Sequence, residues 1–404
     1  AVLPDPDGQR VGSGGATLHV LRYIYEREGS FAGRRILVIH SGGDSKRIPQ
    51  YSACGKLFSP VPRLLPNGRR STLFDEFMIA CGGVAARING GMLVCSGDVL
   101  LLFNPLQIDF YGKGAAALSI KEPVEVGRNH GVFQVDGDGN VGDFLHKKTV
   151  DQLKGLGAVD SQGHVDIDTG AVILDNDMIA DLYGLVDTPE KCKAFVNGQA
   201  RLSFYADFLY PLASGATLEQ YYRETPEGDY TPELHACRRA LWQVLHPYRM
   251  KLIRMSPAAF IHFGTTRELL HLMTDGMETY RYLGWQARIQ TNREESGIGP
   301  GESLDAGQGW RALWNGSRES VRTVSPIHNG NDGSCRYAAS NSYISPRANV
   351  GSGCYIEDSY VHGGTVIGND CVISGVTLNG QKVPGGVVLH GLKLKDGRFV
   401  ARMY

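Results

Sequence analysis

The chain has 404 residues, and its 41 lysines and arginines are balanced by 42 aspartates and glutamates, leaving a net charge of −1. That balance excludes the basic excess that usually marks binders of nucleic acid or of membrane surfaces, so neither partner is expected and any anion binding must be local. The length exceeds one ordinary domain and predicts about two to three. The 52 glycines concentrate in loops and in the C-terminal third, where they read as tight turns. The eight cysteines have no C-x-x-C or zinc spacing and read as reduced, buried thiols, which with no membrane-length apolar run and no signal peptide predicts a cytoplasmic protein. The opening A-V-L-P-D-P-D-G lacks Met and is not read as a natural terminus.

Taken in order, Pro-linked turns at 1–11 lead to the glycine run Gly12-Ser13-Gly14-Gly15-Ala16-Thr17, read as a loop, with an amphipathic helix behind it ending near Gly29. Ile36, Leu37, Val38 and Ile39 have the unbroken apolar character of a fully buried parallel strand. The strand breaks at Ser41-Gly42-Gly43 and sends out Arg47 and Lys56. Pro60, Pro62 and Pro66 exclude a helix through the next segment. Helical spacing returns over 71–87, and a second buried strand, Met92 to Cys95, runs into Ser96-Gly97-Asp98.

Strand-like runs recur at 116–120, 131–135 and 168–174, with a hairpin turn at Asp136-Gly137, and 176–250 reads as mainly helical. The economical fold class is α/β, with one early parallel sheet. Residues 291–309 are a candidate linker, dividing a domain of 1–290 from one of 310–404. Beyond them a six-residue rhythm marks Ile344, Val350 and Ile356, then Val361, Ile367 and Ile373 after a one-residue shortening. Such hexads predict a parallel β-helix of about two coils.

A strand end followed by a glycine turn and fixed cations is where open α/β sheets bind phosphorylated ligands. Gly12 to Gly15 with Thr17, and Gly42 with Gly43, offer backbone N–H groups to a nucleotide; a plain turn is the other account. Arg47 and Lys56 read as phosphate cations or as a solvated basic pair. Asp98 reads as a metal carboxylate, since Mg²⁺ takes one or two carboxylates plus substrate phosphates, or else as a helix cap. Asp168-Thr169-Gly170 can bond sugar hydroxyls or form an Asx turn. Lys147 suits a phosphate or snorkels, and His262, between Phe260 and Phe263, on its own reads as a core histidine.

Together these segments resemble the L-fucose-1-phosphate guanylyltransferase (GDP-fucose pyrophosphorylase) family, including the N-terminal half of bifunctional fucokinase/guanylyltransferases. The likeness is carried by G-S-G-G-A-T (12–17), H-S-G-G-D-S-K-R-I-P (40–49) with G-K (55–56), S-G-D-V (96–99), N-H-G-V-F (129–133), F-Y-A-D-F (204–208), H-F-G-T-T-R-E-L (262–269) and R-F-V-A-R-M-Y (398–404).

The resemblance implies a Rossmann-like nucleotidyltransferase sheet with helices on both faces, then a short left-handed parallel β-helix. It implies GTP and a sugar-1-phosphate, with fucose-1-phosphate favoured, as substrates and Mg²⁺ as cofactor. The nucleotide would lie on the glycines of 12–15 and 42–43, with Arg47 and Lys56 on its phosphates. Asp98 would bind the metal, with Asp207 or His262 at a second metal position. Gly131, Lys147, Asp168, Thr169 and Gly170 would take the sugar phosphate, although Lys148 stands where relatives have Pro. Bifunctional relatives continue into a sugar-kinase domain, for which residues 1–404 hold no motif. Three rivals remain at this stage. One is another base or hexose, and another is a sensor that binds a nucleotide sugar without turnover. The third, an acyltransferase on the β-helix, is disfavoured by its few coils and by His362 as the only candidate histidine.

Overall fold

The computed structural model describes residues 1–41, 46–289 and 337–404. The chain divides into two compact units, Ala1–Gly42 with Phe77–Ile261, and Gly43–Glu76 with His262–Tyr404. Gly42, Gly43 and the expected linker at 291–309 lie outside the described residues.

In chain order the strands up to residue 262 are β1 (Arg35–His40), β2 (Pro60–Leu64), β3 (Arg70–Thr72), β4 (Gly91–Ser96), β5 (Val99–Phe103), β6 (Ala115–Pro123), β7 (Gly131–Val135), β8 (Val141–His146), β9 (His164–Leu174), β10 (Met250–Arg254) and β11 (Ala258–His262). The first unit is built on a seven-stranded sheet in the order β1-β4-β9-β6-β10, with β7 on β9 and β8 on β7. The sheet is mixed. β1 runs parallel to β4 and β10 parallel to β6, but β9 lies antiparallel between β4 and β6. The expectation of an early parallel sheet holds for β1 with β4 and for β6 with β10 and fails at β9, whose apolar run looks the same in either direction.

Burial follows position in the sheet. Central β4 is buried from Gly91 to Cys95, whereas β1, at the end of the strand order, buries only Val38. The expectation that 36–39 is fully buried is therefore corrected: an edge strand has a neighbour on one side only. The hairpin at Asp136 forms as expected, with the Asp136 carboxylate accepting the N–H groups of Asp138 and Asn140 between β7 and β8. The core of this unit gathers Leu18, Leu21, Val94, Val172, Phe208 and Leu241. Burying one such side chain contributes about 1.5–3 kcal/mol.

The first helix, α1 (Gly12–Glu28), stops at Gly29, whose left-handed φ of 71° lets its N–H reach the Tyr25 carbonyl at 2.8 Å. It begins at Gly12, so the glycine run is the opening of the helix and not a loop ahead of it.

In the second unit, β2 pairs antiparallel with β3, and 3-10 turns form at Pro49–Tyr51 and Lys56–Phe58. The C-terminal strands stack as a parallel β-helix. One ladder runs Tyr337–Ser340, Cys354–Glu357, Val372–Ser374, Val388–Lys393, and two shorter ladders hold three strands each. Ile344, Val350, Ile356, Val361, Ile367, Ile373, Leu378, Val383 and Leu389 all point into its core. Among the described residues three coils form where about two are expected, because the first ladder starts on Tyr337 and Ala338, which carry no hexad signal. Arg288–Ile289 adds parallel to Ala339–Ser340. Strand pairing with the β-helix thus begins before residue 290, and 43–76 belongs to the same unit.

Candidate active site

In the first unit, the carboxyl ends of β1 and β4 bring together polar side chains that are distant in sequence. Thr17 Oγ1 donates to the Ser13 carbonyl at 2.9 Å, and His40 Nε2 lies 2.9 Å from the same Oγ1. With the threonine proton spent, Nε2 carries the hydrogen and donates. His40 Nδ1 then accepts from Tyr205 Oη, 2.9 Å away. Ser96 Oγ donates to Asp98 Oδ1 at 2.8 Å. Hydrogen bonds thus link the start of α1 through His40 to Tyr205, and a separate one holds Asp98 to Ser96 at the end of β4.

Burial pushes His40 down to about 4, so its ring is neutral near pH 7. Burial also raises Tyr205 well above the usual phenol range, with Cys95, Asp168 and Asp98 adding to the effect. His40, Ser96 and Tyr205 were not singled out from the sequence. The signal was there, in a histidine closing an apolar strand and a tyrosine set between Phe204 and Ala206.

Beside Ser96 the pairing of β9 with β6 slips. Leu118 faces Ala171 but Ser119 faces Asp168, so Thr169 and Gly170 bulge out. Gly170 has φ 71°, and a Cβ there would meet Ser96 Cβ at 2.7 Å. The Gly170 N–H donates to Asp168 Oδ1 at 2.8 Å, and Thr169 Oγ1 donates to the Leu118 carbonyl. Gly131 adjoins this bulge, since a Cβ on it would come within 3.1 Å of Asp168 Cβ. Lys147 follows β8 with φ 50°, its N–H on the His130 carbonyl at 3.2 Å. The five residues assigned to the sugar phosphate thus lie along neighbouring segments of one unit.

Burial raises Asp168 to about 6, only partly offset by the Gly170 N–H. An acid whose folded-state pKa is raised favours folding below its unfolded pKa, and that advantage is lost as pH rises through about 6. Asp168→Asn keeps the acceptor but cannot ionise. Its stability relative to the parent is expected to increase from pH 4 to pH 8 by about 2 kcal/mol, read from denaturant melts at each pH. Parallel pH profiles for the two proteins would show that Asp168 is not held in this state.

At the N-terminus of α1, where Gly12, Ser13, Gly14, Gly15 and Thr17 are expected to cradle an anion, part of the polar set is used within the fold. The Gly14 N–H donates to the Leu202 carbonyl at 2.8 Å, and Ser13 Oγ accepts from the Phe204 N–H. The glycines serve close packing, for a Cβ on Gly12 would meet the Leu202 carbonyl oxygen at 2.1 Å and one on Gly14 would meet Phe208 at 2.6 Å.

Asp207 is likewise committed. It is 1% exposed, and Arg238 Nε donates to its Oδ1 at 2.8 Å while the Ser203 N–H donates to Oδ2 at 2.7 Å. Arg238, also 1% exposed, donates further to the carbonyls of Tyr221, Tyr222 and Glu224. This buried ion pair does not fit a metal ligand.

The second unit carries Arg47, Lys56 and His262. The Arg47 carbonyl accepts the N–H and the hydroxyl of Thr266, both at 2.8 Å, which fixes the backbone at the start of the helix Thr266–Met273. Lys56 follows Gly55, of φ 83°, and its Nζ donates to the Gly264 carbonyl at 3.1 Å. His262 Nδ1 lies 3.1 Å from Glu268 Oε1. Among the described residues no group of three His, Cys, Asp or Glu side chains is disposed to hold a metal. Asp98, a hard oxygen donor, suits Mg²⁺ together with substrate phosphates, whereas the imidazole of His262 does not. No helix among the described residues is long and apolar enough to cross a membrane.

Comparison with known proteins bears on what such a site is for. The chain is 27% identical over 310 residues to a bifunctional fucokinase/GDP-fucose pyrophosphorylase of Arabidopsis thaliana, covering 68% of this chain and 28% of that protein. It is 29% identical over 318 residues to the fucose-1-phosphate guanylyltransferase of Homo sapiens and 28% identical over 302 residues to that of Mus musculus, covering 71% and 68% of this chain. It spans 51% of each of those two proteins, so the chain matches about half, or less, of the length of these relatives. Residues 29–306 match the fucose pyrophosphorylase domain. The chain belongs to the fucose pyrophosphorylase family.

Proposed function

We propose that the chain is a sugar-1-phosphate nucleotidyltransferase that converts GTP and L-fucose-1-phosphate to GDP-L-fucose and pyrophosphate. Family membership supports the reaction class. The observation that carries the reading is the gathering of Asp98, the Asp168–Gly170 bulge and Gly131 around the end of β4, the kind of strand end at which open α/β sheets bind ligands. In this reading the buried Asp168 carboxylate accepts sugar hydroxyls, and Gly131, Thr169, Gly170 and Lys147 border the sugar phosphate. Arg47 and Lys56 neutralise phosphate charge on the nucleotide.

A phosphate oxygen of the sugar phosphate attacks the α-phosphorus of GTP in line, and the bond to the β-phosphate oxygen breaks to release pyrophosphate. No protein base is needed, since a phosphate monoester with a second pKa of about 6 is already ionised near neutral pH. Mg²⁺, when bound, supplies charge neutralisation at phosphoryl oxygens, and Asp98 is the residue that would hold it. The work left to the side chains is positioning and charge neutralisation.

The test crosses four nucleoside triphosphates with a panel of sugar-1-phosphates in the presence of Mg²⁺ and reads pyrophosphate release. Release with GTP and fucose-1-phosphate above all other pairs is expected. A preference for another base or hexose would replace the substrates, and no release with any pair would favour a nucleotide-sugar sensor.

A further inference from the structure

The stretch bearing Arg47 and Lys56 is tied to the β-helix through a buried carboxylate that the proposed chemistry does not use. Glu357, 1% exposed, lies on the second strand of the long ladder. It accepts three hydroxyl protons, from Tyr51 Oη at 2.8 Å and Tyr355 Oη at 3.1 Å on Oε2, and from Ser374 Oγ at 2.7 Å on Oε1. Tyr355 belongs to the same coil and Ser374 to the next, whereas Tyr51 comes from far away in sequence. A buried carboxylate is costly unless hydrogen-bonded, and here one of its three hydroxyl donors is supplied by the cation-bearing stretch.

Tyr51 stands between the two cations. It closes the Pro49–Tyr51 turn, and its carbonyl accepts the Gly55 N–H at 2.8 Å, directly ahead of Lys56. The Gly55 carbonyl in turn accepts the Phe58 N–H at 3.1 Å. A parallel link fixes the far side of the same segment, where Arg70 donates to Ser340 Oγ at 2.8 Å and to Asp358 Oδ2 at 2.7 Å. Asp358 is held further by Asn341 Nδ2 at 2.7 Å. Two successive acidic residues of one coil therefore each receive a side chain from 43–76.

We propose that Glu357 is a positioning residue, which holds Tyr51 and through it the backbone from Arg47 to Lys56 in the form that receives phosphate groups. This rests on the assignment of the nucleotide phosphates to Arg47 and Lys56. The β-helix is then a platform for the cation-bearing stretch, and its second coil contributes to nucleotide affinity without touching the nucleotide.

Two readouts test it. Amide hydrogen exchange on the substrate-free protein compares the parent with Tyr51→Phe, which loses only a hydroxyl. The amides of Gly55 and Phe58 are expected to exchange about tenfold faster, with those of Tyr355 and Val372 unchanged. Steady-state kinetics of the same variant are expected to show KM for GTP raised about tenfold, with kcat and KM for the sugar phosphate within about twofold. Glu357→Gln, which keeps an acceptor oxygen for Tyr51, is expected to stay close to the parent in both. Unchanged exchange at Gly55 and Phe58, or faster exchange with no change in KM for GTP, overturns the proposal. A parent protein that releases no pyrophosphate from GTP overturns the functional reading instead, and the exchange data then decide by themselves whether Glu357 holds this stretch.

Discussion

Lys56→Ala is expected to lower turnover of GTP about a hundred- to a thousandfold while leaving the thermal midpoint nearly unchanged. In the free protein Lys56 Nζ donates to the Gly264 carbonyl, and a hydrogen bond of this kind contributes on the order of 1 kcal/mol to stability. The catalytic loss is larger because a fixed cation facing a phosphoryl group acts on charge that spreads during the reaction, in a setting that needs no reorganisation. Pyrophosphate release measured beside calorimetry separates the two effects. Unchanged turnover would remove the phosphate assignment of Lys56.

Asp207→Asn is expected to cost about 3–5 kcal/mol of stability, because it leaves the Arg238 guanidinium buried without a counter-charge. Burial raises the Asp207 pKa and Arg238 opposes that rise, as in a structural pair held out of water. Replacing both partners with apolar side chains, Asp207→Leu with Arg238→Met, is expected to recover most of the loss. Denaturant melts decide the matter. An Asp207→Asn protein as stable as the parent but with weakened Mg²⁺ dependence would restore the aspartate to the second metal position.

The parts of the fold legible in the sequence are those that depend on local periodicity. The Ile and Val hexads from Ile344 to Ile373 all face the β-helix core, and the Asp136 turn forms the hairpin its residues favour. Ser96-Gly97-Asp98 closes the strand expected to precede it, with the Gly97 N–H on the His40 carbonyl at 2.9 Å. What stayed hidden depends on contacts between distant segments. Gly12 and Gly14 look like a phosphate loop in sequence, and only the approach of Leu202 and Phe208 reveals them as packing glycines. Asp207 looks like a metal ligand until Arg238, a full helix away, is seen to bond it. His40 meets Tyr205 only because the turn Phe204–Phe208 reaches the end of β1, and Ser96 stands beside His40 only because β1 pairs with β4.

The grouping of 43–76 with the C-terminal strands has a practical outcome for anyone dissecting the molecule. Cutting after residue 290, where composition invites the scissors, would strand Tyr51 and Arg70 without the carboxylates they reach for. The shortened piece would then be a damaged half, and its inactivity would say nothing about the chemistry of the remainder.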